Sequence, residues 1–250
     1  MMFRKLMKLT GLLLVIGFLI ATAAFTSIEN KNNICSRIEV NYIPNDIDRA
    51  SENDIIRMVK AVDNQIIGKP LKQINAEEIE REVEKLKAIE KAEVYKVMIK
   101  DSTSFKGVLS IRVKHREPFV RIMSEYGNYY LDKKGNKFPV STYYTANVLT
   151  VTGMINEKTA VNKLIDFVTY AENDDFWRAQ IQQIHVKSNG DAILIPLVGD
   201  QLIEFGSFDN YEKKLRNMRA FYEQVLSKNN WNRYKTISVK YDNQVIAKKR

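Results

Sequence analysis

Two neighbouring stretches of sequence, AEVYKVMIK at residues 92–100 and VLSIRVKHR at residues 108–116, decide the fold of the first half of the chain. In the second stretch, Leu109, Ile111 and Val113 alternate with polar residues. Alternation with a period of two is typical of a strand that buries one face. The two stretches therefore predict consecutive strands with a common buried face.

The residues before these strands predict one more strand and two helices. RIEVNYI at residues 37–43 alternates in the same way. Ser51 with Asp54, and Asn75 with Glu78, have the spacing of capping boxes, and each pair precedes apolar residues at helical intervals. The resulting order, β-α-α-β-β over about 85 residues, predicts an open sheet covered by two helices.

After Glu117-Pro118 the pattern changes to short strands separated by turn residues. Asp132-Lys133-Lys134-Gly135 is typical of a hairpin turn, and helical spacing recurs in two longer runs, at residues 157–170 and 211–226. Alternating runs predict strands at residues 119–123, 147–152, 181–186, 192–196, 201–206 and near the C-terminus. These patterns predict an antiparallel α+β region of about 130 residues.

The first 28 residues have the pattern of a membrane anchor. Arg4, Lys5 and Lys8 are followed by an uncharged run from Leu9 to Ile28. Twenty residues in a helix span about 30 Å, the thickness of a bilayer core, and the cationic flank predicts a cytoplasmic N-terminus. The side chains expected to face lipid are Leu9, Leu12, Leu13, Leu14, Val15, Ile16, Phe18, Leu19, Ile20, Phe25 and Ile28.

A cleavable signal peptide is the alternative interpretation of this segment. Ala21-Thr22-Ala23 has the small-x-small spacing of a cleavage site, and residues 12–20 have the length of its apolar region. The full spanning length of the uncharged run favours the anchor. Under both interpretations the rest of the chain is exported.

The composition excludes several classes of protein. Lys and Arg number 39 against 30 Asp and Glu, which gives a net charge of +9 in 250 residues. Three of the positive charges belong to the N-terminal flank, and the rest are dispersed over an exported region, so we expect no nucleic-acid partner. One cysteine and two histidines allow neither an intrachain disulfide nor a Cys/His zinc cluster.

The candidate catalytic residues do not combine into a site. Cys35 lies in a predicted tether, and His115 and His185 are expected to face solvent. A helix N-cap explains Asp174-Asp175 better than catalysis or metal binding does. No nucleophile, base and orienting residue can be assembled from this set, so the sequence predicts no enzyme, no cofactor and no small-molecule substrate.

The C-terminal residues hint at a binding surface. TISVKYD at residues 236–242 has the pattern of a strand, and a C-terminal strand is often a sheet edge with unpaired backbone groups. The terminal KKR is interpreted either as protection of that edge or as a solvated chain end.

The serial order of these patterns resembles the bacterial cell-division family FtsQ, called DivIB in some lineages. AEVYKV and LSIRVKHREPFVRI are similar to a POTRA domain, and YYLDKKGNKFP is similar to the family's D-x-x-G-x-x-F/M hairpin. NVLTVTG, WRAQIQQIHV, AILIPLVGDQLIEFG, YEKKLRNMRAFYEQVL and RYKTISVKYDNQVIAKKR follow in family order. The resemblance implies a cytoplasmic tail at 1–8, a transmembrane helix at 9–28, a tether at 29–36, a POTRA domain at 37–117 and a β-domain at 118–250.

The resemblance also implies a function. The family consists of non-enzymatic divisome scaffolds, whose POTRA domain supports recruitment to the division site. The β-domain binds FtsB of the FtsB–FtsL pair, largely by adding a partner strand to its last strand. Tyr241 matches the family's aromatic position in that strand, and Lys240 matches the preceding basic position. The implied partner-binding edge consists of Ser238, Val239, Lys240, Tyr241, Gln244 and Ile246.

Two other functions compete with this interpretation. One is an exported POTRA module that binds polypeptides or an envelope translocation partner. The other is a periplasmic enzyme, which would need a catalytic cluster among residues 181–206.

Overall fold

A computed structural model describes residues 11–22, 33–43, 50–101, 104–141, 145–228 and 231–250. The chain divides into two compact units, Met1–His115 and Arg116–Arg250. We call the helix-covered sheet of the first, residues 33–115, the POTRA-like unit, and we call the second the C-terminal unit.

The POTRA-like unit has the predicted β-α-α-β-β order. Its sheet has the strand order β1-β3-β2, in which β1 runs parallel to β3 and β2 runs antiparallel to it. The elements are β1 (Cys35–Tyr42), α1 (Glu52–Val62), a 3₁₀ turn (Leu71–Gln73), α2 (Ala76–Val83), β2 (Ile89–Asp101) and β3 (Ser104–His115).

Both helices begin where the capping boxes predict. The side chain of Ser51 accepts a hydrogen bond from the Asp54 amide, and that of Asn75 accepts one from the Glu78 amide. The inner faces of the helices then cover the alternating apolar face of β3. The core contains Ile55, Val59, Ile79, Val83, Leu109, Ile111 and Val113.

The predicted tether is two residues too long. β1 begins at Cys35, which is fully buried, and the Cys35 amide donates to the Lys69 carbonyl at 2.9 Å. Ile34 forms an isolated β-bridge with Pro70. Residues 34 and 35 therefore pair with the loop at residues 68–70, before the alternating residues of β1 begin. Burial raises the pKa of the Cys35 thiol.

The prediction that His115 faces solvent is wrong. The ring is fully buried and stacks on Tyr42 with centroids 5.5 Å apart, and its Nε2 accepts a hydrogen bond from the Ala50 amide at 3.2 Å. The reason lies in its position, since residue 115 shares the helix-covered face of β3 with residues 111 and 113. His185 is exposed, as predicted.

The N-terminal segment is described only in part. Residues 11–22 are helical, and within the described ranges no helix is long and apolar enough to cross a membrane. The described helix contains the predicted lipid-facing side chains from Leu12 to Ile20. The other members of the predicted anchor and its flank, Arg4, Lys5, Lys8, Leu9, Phe25 and Ile28, lie outside the described residues.

The C-terminal unit is built on one nine-stranded sheet. The strand order is β12-β11-β10-β9-β8-β7-β4-β5-β6. The strands are β4 (Val120–Ser124), β5 (Gly127–Leu131), β6 (Lys137–Pro139), β7 (Leu149–Gly153), β8 (Ile181–Val186), β9 (Ala192–Pro196), β10 (Leu202–Gly206), β11 (Tyr234–Ser238) and β12 (Ile246–Lys249).

Two helical regions pack against this sheet. Between β7 and β8, α3 (Glu157–Thr159) continues through a π-helical stretch (Ala160–Leu164) into α4 (Ile165–Glu172), and α5 (Asp175–Gln180) follows. Between β10 and β11, α6 (Tyr211–Phe221) continues into a second π-helical stretch (Tyr222–Leu226). The shared core includes Leu164, Phe167, Trp177, Ile184, Leu194, Phe205, Leu215 and Met218.

The prediction of an antiparallel sheet is wrong in part, because this sheet is mixed. β7 runs parallel to β8, and β10 runs parallel to β11. Each of these pairs is joined by a helical region, which supplies the long crossover connection that parallel neighbours need. β4 also runs parallel to β7. The strands and helices themselves lie close to their predicted positions.

Two predicted local structures of the C-terminal unit are confirmed. Asp132 begins the β5–β6 turn, and its amide donates to the Asn136 carbonyl at 3.1 Å. Gly135 has a φ of +80°, a left-handed conformation that favours glycine. Asp174 caps α5, where its carboxylate accepts from the amides of Phe176 and Trp177.

The edge of the C-terminal sheet as a candidate partner-binding site

The two ends of the C-terminal sheet differ in their capacity to accept another strand. β6 at one end has three residues, and one of them, Pro139, has no amide hydrogen. β12 at the other end is a four-residue strand without proline, IAKK. An edge strand exposes unpaired backbone donors and acceptors, so β12 is the better candidate for strand addition.

The strand that was expected to form the edge is internal. β11 pairs with β10 on one side and with β12 on the other. It ends at Ser238, and the chain then turns through Asn243, which has a φ of 60°, before it returns as β12. The prediction that TISVKYD at residues 236–242 forms the edge strand is therefore wrong, and the final residues take that position instead.

Two of the six predicted partner-binding residues are buried. Ser238 is 7% exposed and Val239 is 1% exposed, and Val239 packs in the core of the unit. The Val239 amide also donates to the Glu204 carbonyl at 3.0 Å, which extends the β10–β11 ladder by one residue. These side chains support the sheet and do not face a partner.

Lys240 makes an ion pair within the unit. Its Nζ lies 2.6 Å from Oδ2 of Asp191, at the end of the turn between β8 and β9. This hydrogen bond raises the pKa of Lys240 and lowers the pKa of Asp191. We call this ion pair the latch, because it joins the chain after β11 to a turn 49 residues upstream.

A glycine makes room for the latch. Gly206 has a φ of +76°, and a Cβ atom at this position would lie 2.8 Å from Cγ of Lys240. Beside it, the Lys214 ammonium donates to the Ser207 carbonyl at 2.6 Å, and burial lowers the pKa of Lys214.

The other three predicted residues are exposed near the edge. Tyr241 is 53% exposed and Ile246 is 48% exposed, and Gln244 is exposed as well. Val245 between them packs against the core and holds the connection in place. An aromatic and an aliphatic side chain thus border the free backbone of β12.

The edge is also cationic. Lys248, Lys249 and Arg250 are all exposed at the end of the chain. Arg250 lies 3.4 Å from the Asp200 carboxylate, and its amide donates to the Arg233 carbonyl at 3.1 Å. A partner strand that carries acidic residues would complement this end of the sheet.

Sequence reasoning missed part of this site. The structure places Ala247, Lys248 and Lys249 in β12, although QVIAKKR lacks the alternation of apolar and polar residues that predicts a strand. Asp191 had no local signal, because only the folded sheet brings it to Lys240.

Among the described residues, no group of three or more His, Cys, Asp or Glu side chains could hold a metal ion.

Comparison with known families agrees with this architecture. Residues 33–101 match the POTRA-like domain, and residues 117–248 match the family described as FtsQ/DivIB, C-terminal related. No curated protein shows significant sequence similarity to the chain.

The POTRA-like match and the FtsQ/DivIB match together indicate a scaffold protein of cell division. The second match covers more than half of the 250 residues, and the chain belongs to the FtsQ/DivIB family. This family consists of non-enzymatic division scaffolds that are anchored in the membrane.

Proposed function

We propose that this protein is a single-pass scaffold of the cytoplasmic membrane that binds an FtsB/FtsL-type complex through β12. In this proposal the N-terminus is cytoplasmic, both folded units are periplasmic, and the protein links early and late division proteins during septum formation. The open edge of the C-terminal sheet is the observation that carries the partner assignment.

Backbone pairing along β12 is too weak to hold a partner by itself. A four-residue strand adds about four hydrogen bonds, each with a net value of about 0.5–1.5 kcal/mol. Loss of translational and rotational freedom costs about 4–15 kcal/mol. Side chains must therefore contribute. The exposed Tyr241 is suited to this because tyrosine is enriched among the residues that dominate interface energies, and the exposed Ile246 adds apolar area beside it.

The membrane part of the proposal is supported by the sequence. The run from Leu9 to Ile28 carries no charge and has spanning length, and Arg4, Lys5 and Lys8 precede it. Removal of residues 1–28 should move the protein from the membrane fraction to the soluble fraction. Fractionation of the full chain and the truncated chain measures this.

The competing function, polypeptide binding by the POTRA-like unit, is less well supported. β2 is one of the two edge strands of that sheet, and the carboxylates of Glu84 and Glu80 accept hydrogen bonds from its Ala92 and Val94 amides, at 3.1 and 2.7 Å. A partner strand could not pair with these amides without displacing the glutamates of α2.

A tyrosine pair tests the proposed edge. Tyr241→Ala should weaken binding of an FtsB/FtsL-type complex about tenfold to a hundredfold, the range expected for a buried aromatic anchor. Tyr126→Ala is the matched control, because Tyr126 is 60% exposed in the β4–β5 turn, several strands away from β12. Affinity is measured with the full chain in detergent or vesicles. Equal affinities of the two variants would contradict the assignment.

A second experiment tests the backbone of β12. Successive amides of an edge strand point alternately toward its neighbour and away from it. We therefore compare Ala247→Pro with Lys248→Pro. The proline that replaces the outward-pointing amide should abolish partner binding without loss of stability. The proline that replaces the inward-pointing amide should weaken the β11–β12 ladder as well. Removal of residues 236–250 is unsuitable as a test, because it deletes the fully buried Ile237.

A further inference from the structure

Exposed apolar side chains of the POTRA-like unit are concentrated at one end. Among its described residues, seven large hydrophobic side chains are exposed, and five of these lie at the end where the chain enters β1. We call these five the proximal surface: Ile34, Ile67, Met98, Ile99 and Phe105. Phe105 is the most exposed of them, at 65%. Exposed apolar groups collected in one place usually mark an interaction site.

Strand register places three members of this surface on one pair of strands, with Met98 and Phe105 on one face and Ile99 on the other. β1 runs parallel to β3, and its first residue, Cys35, pairs with Gly107. β3 begins three residues before Gly107, so its start extends beyond β1 toward the incoming chain. There β3 pairs only with β2, with Ile99 opposite Lys106 and Lys100 opposite Phe105. The result is a two-stranded ribbon that projects from the sheet.

The other two members flank the base of this ribbon. A Cβ atom on Gly107 would lie 2.4 Å from the carbonyl oxygen of Ile34. The amide of Gly68, the residue after Ile67, donates to the Cys35 carbonyl at 2.8 Å. Ile34 and Ile67 therefore lie beside the start of β1, at the same end as the ribbon.

The ribbon is cationic as well as apolar. Residues 96–106 contain Lys96, Lys100 and Lys106 with one acid, Asp101, which gives a net charge of +2. Lysines on a ribbon oppose pairing with a further strand. Lysines next to exposed aromatic and aliphatic residues are typical of surfaces that lie in the headgroup region of anionic bilayers.

The position of the ribbon in the chain points to the same partner. Six residues separate Ile28, the end of the predicted span, from Cys35. Seven Cα–Cα steps reach at most about 25 Å, at about 3.3–3.6 Å for each step. The proximal surface lies at the end of the unit that this short connection holds near the bilayer.

We propose that the proximal surface of the POTRA-like unit docks on the anionic surface of the membrane in which the protein is anchored. Phe105 on one face of the ribbon and Ile99 on the other enter the interface between headgroups and acyl chains, and the lysines of the ribbon contact lipid phosphates. The contact orients the POTRA-like unit relative to the bilayer. This inference rests on the proposed anchor.

Spin labels on the full chain in vesicles test the docking. Cys35→Ala removes the single native cysteine, and Phe105→Cys introduces one label site on the ribbon. Ile43→Cys provides the matched control, because Ile43 is an exposed aliphatic residue at the opposite end of β1. In vesicles of phosphatidylglycerol and phosphatidylcholine, the label at 105 should collide more with oxygen than with a water-soluble nickel complex. The label at 43 should show the reverse.

Charge reversal tests whether the label at 105 enters the bilayer because the lysines bind anionic lipid, or only because the anchor holds it near the membrane. Lys100→Glu with Lys106→Glu should shift the label at 105 toward the aqueous collision ratio, as should vesicles of phosphatidylcholine alone. Lys60→Glu, on the exposed side of α1, should leave the ratio unchanged. A label at 105 with an aqueous ratio in anionic vesicles would overturn the docking and would favour a protein partner for the ribbon.

Flotation of the same samples distinguishes a failure of the docking from a failure of the membrane anchor. Protein that floats with vesicles while the label at 105 stays aqueous refutes the docking and leaves the anchor intact. Protein that does not float refutes the anchor and the docking together.

Discussion

Asp132 shows how a single carboxylate organises a turn at the start of the C-terminal unit. It accepts hydrogen bonds from the amides of Lys134 and Asn136, at 2.9 and 2.8 Å, and from the side chain of Asn136. Arg116, the first residue of the unit, lies 2.7 Å from the same carboxylate. Burial alone would raise the pKa of Asp132, but the bonds from Asn136 and Arg116 outweigh this and hold the pKa below its ordinary value.

Asp132→Asn should destabilise the C-terminal unit by about 1.5–3 kcal/mol, the range for a hydrogen bond to a charged group. The loss should also depend on pH. A carboxylate whose pKa is lowered by folding stabilises the folded state at pH values above its pKa in the unfolded chain, which is about 3.9. This stabilisation is lost as the pH falls through the pKa in the folded protein. Urea unfolding of both proteins between pH 3 and 7 measures this, and the difference should shrink at the acidic end.

Asp175→Asn is the control for this change. Asp175 pairs with Arg178 at 2.6 Å, but its side chain is 91% exposed. Exposed pairs contribute about 0–1 kcal/mol. Equal destabilisation by the two substitutions would show that the turn does not depend on the Asp132 carboxylate.

At the scale of elements, the connection between β11 and β12 decides where the open edge of the sheet lies. Val245 packs on the core, the latch joins Lys240 to Asp191, and Lys213 of α6 lies 3.8 Å from the Asp242 carboxylate. The side chains of the latch are 40% and 21% exposed, so water screens the ion pair and it contributes little to global stability. Its main effect is therefore local.

Asp191→Asn should speed hydrogen exchange of the amides in residues 241–247 about twofold to fivefold, which corresponds to the loss of one partly exposed ion pair. Exchange in β8 and β9 should change little. The double reversal, Asp191→Lys with Lys240→Asp, should restore most of the protection. Exchange rates in Asp191→Asn equal to those of the unmodified protein would show that Val245 and the Lys213–Asp242 pair hold the connection without the latch.

At the scale of the whole molecule, each unit has a core of its own. In the POTRA-like unit, Ile79 of α2 packs with the apolar face of β3. In the C-terminal unit, Leu194 of β9 packs with residues of the helices that cover the sheet. Both side chains are buried, and each belongs to a separate cluster.

Ile79→Ala and Leu194→Ala should each cost about 2–5 kcal/mol, because each leaves a cavity in a close-packed core. Loss of amide protection should stay within the unit that carries the substitution. Hydrogen exchange followed by mass spectrometry of peptides from residues 50–101 and 145–228 measures this. The milder Ile79→Val should cost about 0.5–1.5 kcal/mol, and loss of protection in both units from either alanine variant would contradict two independent cores.

Local patterns predicted the elements well, and the reasons are visible in particular residues. Ser51, Asn75 and Asp174 cap helices through atoms within three residues of themselves, so their roles are local. Asp132 and Gly135 form a turn from adjacent residues in the same way. Such interactions leave a signature in the sequence because both partners lie in one short window.

Predictions failed where the partner was distant in sequence. Cys35 is buried through the Gly68–Pro70 loop, and His115 is buried against Ala50. Glu80 and Glu84 accept hydrogen bonds from β2 amides that lie 14 and 8 residues away in sequence. None of these contacts follows from the spacing of neighbouring residues.

The amino-acid sequence by itself determined the β-α-α-β-β order of the POTRA-like unit, the succession of strands and helices after it, and membership of the FtsQ/DivIB family. Hydrophobic alternation and capping are short-range properties, so they can be recognised in the chain before it folds. Only the tertiary structure decided which strand forms the edge. Strand order depends on helical crossovers and on long-range contacts such as the latch, and these place β12, instead of β11, at the open end of the sheet.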